Sequence, residues 1–153
     1  MEYVKIGVTP EGRALDPGPY LAALPTLSAD LPEGARSFAT DPEHYDFSGR
    51  RCVKDLSLAS LAFIRDGDDQ SIELTFRHNC WKHEEDLTIR YEAVTQYEIA
   101  LPSDGIGDAI VMLDEILPHP SGCHHEIGFL SGTITVTSRD LTASWLQADC
   151  PDR

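Results

Sequence analysis

From residue 52 onward, apolar and polar side chains trade places with a period of two. In "SIELTFRH", Ile72, Leu74 and Phe76 fall on one face and Glu73, Thr75 and Arg77 on the other. Such alternation marks a strand with one buried and one wet face. "DLTIRYEAV" repeats it, with Leu87, Ile89 and Tyr91 against Thr88, Arg90 and Glu92. "TQYEIAL" sets Tyr97, Ile99 and Leu101 to one side, and "DLTASWL" points Leu141, Ala143 and Trp145 inward. Two stretches are less clean. Residues 56–64 are apolar on both faces, and "AIVMLDEIL" has enough apolar content for a strand or a helix. The second reads as a strand, because Asp104, Gly105 and Gly107 precede it and "PHPSG" follows. "RDGDDQ" supplies an Asp-Gly turn, and "LSG" between "HEIGF" and "TITVT" supplies another hairpin. Strands at this spacing, separated by turn signals, predict a mainly β fold. The expected architecture is an antiparallel meander forming a sandwich or partial barrel.

Residues 1–50 follow no such period. They are rich in Pro, Gly and Asp, and only "YLAALPTL" suggests a helical turn, which Pro25 limits. With Tyr20, Phe38, Tyr45 and Phe47 the segment is too aromatic for a free tail. It is expected to wrap, irregularly, a core built by the strands of 52–146. The 153 residues predict one domain spanning 1–153. A chain of this size buries about two thirds of its unfolded surface and needs no metal or disulfide to fold. Cys52, Cys80, Cys123 and Cys150 are widely scattered, so free thiols are expected. No basic start followed by an apolar run opens the sequence, and no apolar stretch reaches the roughly 20 residues of a membrane helix. A cytoplasmic location is the resulting expectation.

Charge changes the picture more than composition does. The formal net charge is −14. Residues 1–51 hold eight acids and five bases, whereas 52–153 hold eighteen acids and seven bases. That field opposes binding to nucleic acid and to anionic membranes, and favours cationic partners. Acids gather in turns and near strand ends: Asp66, Asp68 and Asp69; Glu84, Glu85 and Asp86; Asp114 and Glu115. Brought to one edge by the sheet, they would steer a basic protein partner. The plainer alternative is a solvated rim that serves solubility. Nothing in the pattern sets an oligomeric state.

The densest chemistry lies in "RHNCWKHEED", residues 77–86. His78, Cys80 and His83 cluster there at one end of a hairpin. Thiolate and imidazole suit zinc, which normally takes four ligands in a tetrahedron. The spacing H-x-C-x-x-H offers at most three, so "GCHHE" with Cys123, His124 and His125 would have to complete the set. The alternative is a polar turn with hydrogen-bonded histidines and no cofactor. Cys80 paired with His78 or His83 would suit nucleophilic catalysis, but the acids at 84–86 disfavour a thiolate. Asp114 and Glu115 are adjacent, so on a strand they face opposite sides and cannot serve one reacting centre. "GIGDA" at 105–109 lacks the third glycine and the strand–helix context of a dinucleotide site, and no P-loop is present.

Three stretches form a familiar set: "HYDFSGRRCVKDL" (44–56), "IELTFRHNCWKHEEDLTIRYEAV" (72–94) and "VMLDEILPHPSGCHHEIGFLSGTITV" (111–136). Together they resemble small, acidic, β-rich bacterial proteins of uncharacterised families, several of them similar to immunity proteins of toxin systems. The shared features are the strand pattern, a "DEI…HEI…SG" hairpin and acidity, over residues 44–146. The resemblance implies a stand-alone, non-enzymatic binding protein without a cofactor, an immunity-type inhibitor of a basic partner. A metal-binding protein or metal-dependent enzyme using the His/Cys cluster is the rival expectation. A small-molecule binder in a barrel mouth is a third.

Overall fold

The computed structural model describes residues 1–10, 12–67, 69–102 and 109–149. Its elements run β1 (Lys5–Thr9), β2 (Gly12–Asp16), α1 (Gly18–Leu27), α2 (Glu33–Ala39), β3 (Ser57–Asp66), β4 (Asp69–Arg77), β5 (Glu85–Glu92), β6 (Gln96–Ala100), β7 (Val111–His119), β8 (Gly122–Phe129), β9 (Thr133–Ser138) and β10 (Asp140–Gln147). The fold is mainly β, with antiparallel sheets that do not close into a barrel. Two four-stranded sheets form a sandwich, in the orders β10-β5-β4-β3 and β6-β9-β8-β7, and β1 pairs with β2 in a two-stranded sheet.

Each large sheet is a three-stranded meander that receives one strand from the other's chain path. β5 passes into β6 through residues 93–95, and β9 passes into β10 through Arg139 alone. β5 pairs with β10 while β6 pairs with β9, so these four strands make one long bent ribbon shared by both sheets. The bend at Ala93 uses a positive φ of 49°. Strands that turn a corner from one sheet to the next make the sheets cross rather than align. β3 shows the crossing. Its first residue, Ser57, bridges to Ile110 beside β7, while the ring of Phe63 meets Tyr97 of β6 at 5.1 Å.

The two stretches with blurred patterns owe this to tertiary context. In β3 the register slips between Leu58 and Ser60. Before the slip Leu58 pairs with Phe76; after it Leu61 pairs with Leu74 and Phe63 with Ile72. The extra residue of a bulge swaps the inward parity from even to odd positions. In β7, Val111 to Ile116 are all buried. One face packs between the sheets and the other lies under the N-terminal segment. The turn between β3 and β4 has Gly67 at φ 62°, as an Asp-Gly turn requires. The expected break at Asp104, Gly105 and Gly107, and with it "GIGD", lies outside the described residues.

The N-terminal segment carries β1, β2, α1 and α2, more regular structure than its pattern promised. The wrap closes the outer edge of β7. The Tyr20 hydroxyl donates to the Ile116 carbonyl at 2.7 Å and accepts from the Ile116 amide at 3.2 Å. The Tyr45 hydroxyl donates to the Asp114 carbonyl. An open edge would otherwise offer these groups to another chain. α1 tolerates Pro25 because it sits in the last turn, after which the Ser28 amide reaches Leu24 at 2.8 Å. α2 is held at its start by Asp140, whose carboxylate accepts from the Gly34 and Ala35 amides at 3.0 and 2.9 Å. That is the capping its own residue Pro32 cannot supply. β6 differs from expectation in one respect. Tyr97 and Ile99 do point to the inner side, but at the sandwich margin they stay 45% and 40% exposed. Among the described residues no helix is long and apolar enough to cross a membrane.

Candidate functional site

The wrap leaves an open cleft of about 560 Å³ between α1 and the loop that follows α2. Its apolar floor is Leu21, Leu24, Pro25, Ala39 and Tyr45, and Asp41 and Asp46 stand at its rim. Each carboxylate is set by a local turn: Asp41 accepts from the Glu43 amide at 2.9 Å and Asp46 from the Ser48 amide at 3.0 Å. Neither is consumed by an ion pair among the described residues. Around Asp41 the surface stays acidic. Glu43 accepts from the Arg51 amide, and Arg51 is bound through its guanidinium to Glu85 at 2.6 and 3.0 Å. The carboxylates facing Arg51, Glu85 first, push its guanidinium further into the charged range. The cleft therefore offers an apolar trough ending in carboxylates, a shape that fits the long stem and charged head of Lys or Arg.

Beneath the cleft lies a sealed polar cluster. Asp114 accepts from His44 Nε2 at 2.8 Å and from His125 Nε2 at 2.9 Å, while His125 Nδ1 faces the Tyr91 hydroxyl at 2.8 Å. His44 Nδ1 lies 2.9 Å from the Phe38 carbonyl. A carboxylate and a carbonyl can only accept, so both nitrogens of His44 must carry hydrogen and the ring is an imidazolium. His125 needs only one hydrogen, at Nε2, with Nδ1 accepting from Tyr91. Burial works against charge on Asp114; the His44 charge and the hydrogen bonds from His125 and His44 outweigh it and hold the carboxyl well below its usual range. Burial first, and then the Asp114 charge, push the Tyr91 and Tyr45 phenols well above their usual range, so both stay donors. The adjoining void measures about 10 Å³, room for about one water. The cluster is buried, and its hydrogen bonds join β7, β8, β5 and the wrap to one another.

The sequence-predicted metal residues do not converge. His78 and Cys80 stay together, with Nε2 3.5 Å from Sγ. His83 turns away into the core, where Nε2 bonds the Cys52 carbonyl at 2.9 Å and burial lowers its proton affinity. Across the sandwich, Cys123 is buried against Ser138, His124 meets the Thr137 hydroxyl at 2.9 Å, and His125 belongs to Asp114. Adjacent positions on a strand point to opposite faces, so 123, 124 and 125 cannot act as one donor set. Among the described residues no three His, Cys, Asp or Glu side chains group to hold a metal.

The acids expected to line one edge are scattered too. Asp114 is the centre of the buried cluster. Glu115, 2% exposed on the opposite face of β7, accepts from the amides of Glu2, Tyr3 and Val4 at 2.6–2.7 Å. Those two therefore anchor the fold and lie off the surface. Asp69 is exposed at the start of β4, but the side chain of Asp66 and the whole of Asp68 lie outside the described residues. Glu84 pairs with Arg50 at 2.6 Å, Glu85 with Arg51, and Asp86 with His78 at 2.6 Å. What replaces the expected edge is the face where Glu84 and Glu85 meet the wrap, together with Asp41, Glu43 and Asp46. "TDPEHYDF" carried the signal: two aspartates in turn positions flanking His44. The period-two pattern gave no reason to place them beside β5. Comparison with known proteins finds no family model, no curated protein and no solved structure that matches this chain.

Proposed function

We propose that this protein is an acidic binding module for a basic protein, an immunity-type inhibitor in the sense that the sequence resemblance implies. The observation that carries the reading is the cleft: an apolar floor of Leu21, Leu24, Pro25 and Tyr45 with Asp41 and Asp46 at its rim and no ion pair to either among the described residues. A cationic side chain from the partner fills the trough and pairs with the rim. The chain's net charge of −14 adds long-range steering. Rim charges act mainly on association rate and salt sensitivity, and the apolar floor supplies the desolvated anchor.

The test is co-expression with the proteins encoded on either side, followed by binding kinetics on the purified pair. Binding should weaken steeply from 50 to 300 mM salt. Replacing Asp41 and Asp46 together by Asn should slow association at least about tenfold at low salt. If no neighbouring protein binds, or if binding ignores both salt and the double variant, the reading is wrong.

A further inference from the structure

We infer that Cys80, His78 and Asp86 form a nucleophilic triad that takes acyl groups from small esters and thioesters. It uses no residue of the acidic cleft. Cys80 Sγ lies 3.5 Å from His78 Nε2, and His78 Nδ1 lies 2.6 Å from Asp86 Oδ1. Asp86 can only accept when ionised, so the hydrogen of the ring sits on Nδ1 and Nε2 presents its lone pair to the thiol. That is the tautomer a general base needs, with a carboxylate behind it to orient the ring. The same Asp86 oxygen also accepts from the His78 amide at 2.8 Å, which fixes the carboxylate itself.

The turn that carries the thiol is rigidly seated. The Asn79 side chain donates to the Asp55 carbonyl at 3.0 Å, Lys82 Nζ reaches the Lys54 carbonyl at 3.0 Å, and His83 is locked onto Cys52. Residues 79 to 83 thus hold Cys80 against His78, and the buried Lys82 and His83 act as the rivets. The acids at 84 and 85, which the sequence set against a thiolate, are ion-paired with Arg50 and Arg51. Cys80 is partly exposed, and beside it Trp81 stands 76% exposed, an apolar platform for an acyl chain.

The chemistry balances with water alone. Sγ attacks the acyl carbon as His78 Nε2 takes the thiol proton. The ester C–O or thioester C–S bond of the substrate breaks, and His78 returns that proton to the departing alkoxide or thiolate. Water, deprotonated by the same nitrogen, then cleaves the thioester, releases the acid and restores the thiol. Cys80 and His78 are the catalytic residues; Asp86 is a positioning residue.

The experiment uses p-nitrophenyl acetate on the full chain in a Cys150→Ser background, followed by intact mass and peptide mapping. Acetylation should fall on Cys80 and run at least about tenfold faster in the native protein than in the same chain unfolded in urea. His78→Gln should cut the native rate by about a hundredfold, the lower range for a general base. Asp86→Asn should cut it at least about tenfold, with partial recovery in Asp86→Glu, a rescue that a purely structural carboxylate would not give. Native acetylation no faster than in urea overturns the inference even if the variants fail to fold. So does an unchanged rate in His78→Gln, or labelling at a residue other than Cys80.

Discussion

Replacing Asp114 by Asn tests the central cluster with the smallest change of shape. The residue is 1% exposed and receives hydrogen bonds from His44 and His125. His125 can adapt: it moves its hydrogen to Nδ1, donates to the Tyr91 hydroxyl and accepts from the new amide. His44 cannot, because the Phe38 carbonyl needs its Nδ1 hydrogen. The variant therefore strands one buried imidazolium, or forces it to lose a proton against an acceptor. Breaking a buried pair from one side costs about 3–5 kcal/mol, a large part of the roughly 5–15 kcal/mol that holds a domain together. At about 2–4 °C per kcal/mol for a chain of this size, the melting temperature should fall by roughly 6–20 °C. Adding His44→Gln removes the stranded charge and should recover part of that loss. The pH dependence gives a second readout. Because the folded state holds Asp114 below its unfolded value of about 3.9, the unfolded chain binds more protons in acid. The stabilisation is thus complete above that value and is lost as pH falls towards the folded pKa. Calorimetry between pH 2 and pH 7 should show a steeper acid limb for the wild type than for Asp114→Asn. A variant melting within about 2 °C of wild type at pH 7, with the same acid limb, would refute the assignment of charge.

Three other outcomes follow from the same contacts. Glu115→Gln sets an amide where three backbone amides converge, and should cost about 2 kcal/mol; hydrogen exchange should then speed up at residues 2–4, and unchanged protection there would contradict the anchoring role of Glu115. Gly122→Ala would put a Cβ 2.1 Å from the Arg139 carbonyl at a φ of 130°, at the corner where β9 enters β10, and should cost at least about 2 kcal/mol in urea unfolding. Burial pushes the Cys123 thiol up to about 11 and raises Cys52 as well; in native protein at pH 8 a disulfide reagent should leave both unmodified for as long as the chain stays folded.

Most of the strand-rich part was legible because period two is a property of the strand itself. Residues 72–77 and 87–91 alternate, and their inward members form the core. Once one face is buried, the register follows. The blurred pattern of 56–64 was not legible in this way, because the bulge that shifts its parity shows only in the pairing with β4. The candidate surface was not legible. His44 reaches Asp114 across 70 positions, Asp41 faces an arginine bound to Glu85, and the donors at 78–83 and 123–125 part company. Such pairings depend on how two sheets cross and where the wrap lies, and no local period encodes either. The sequence by itself determined that this chain builds antiparallel strands and carries a strong negative field. Only the tertiary structure decided which acids are buried anchors and which stand at the surface. Burying a charge requires a partner, and the partner is supplied from another part of the chain.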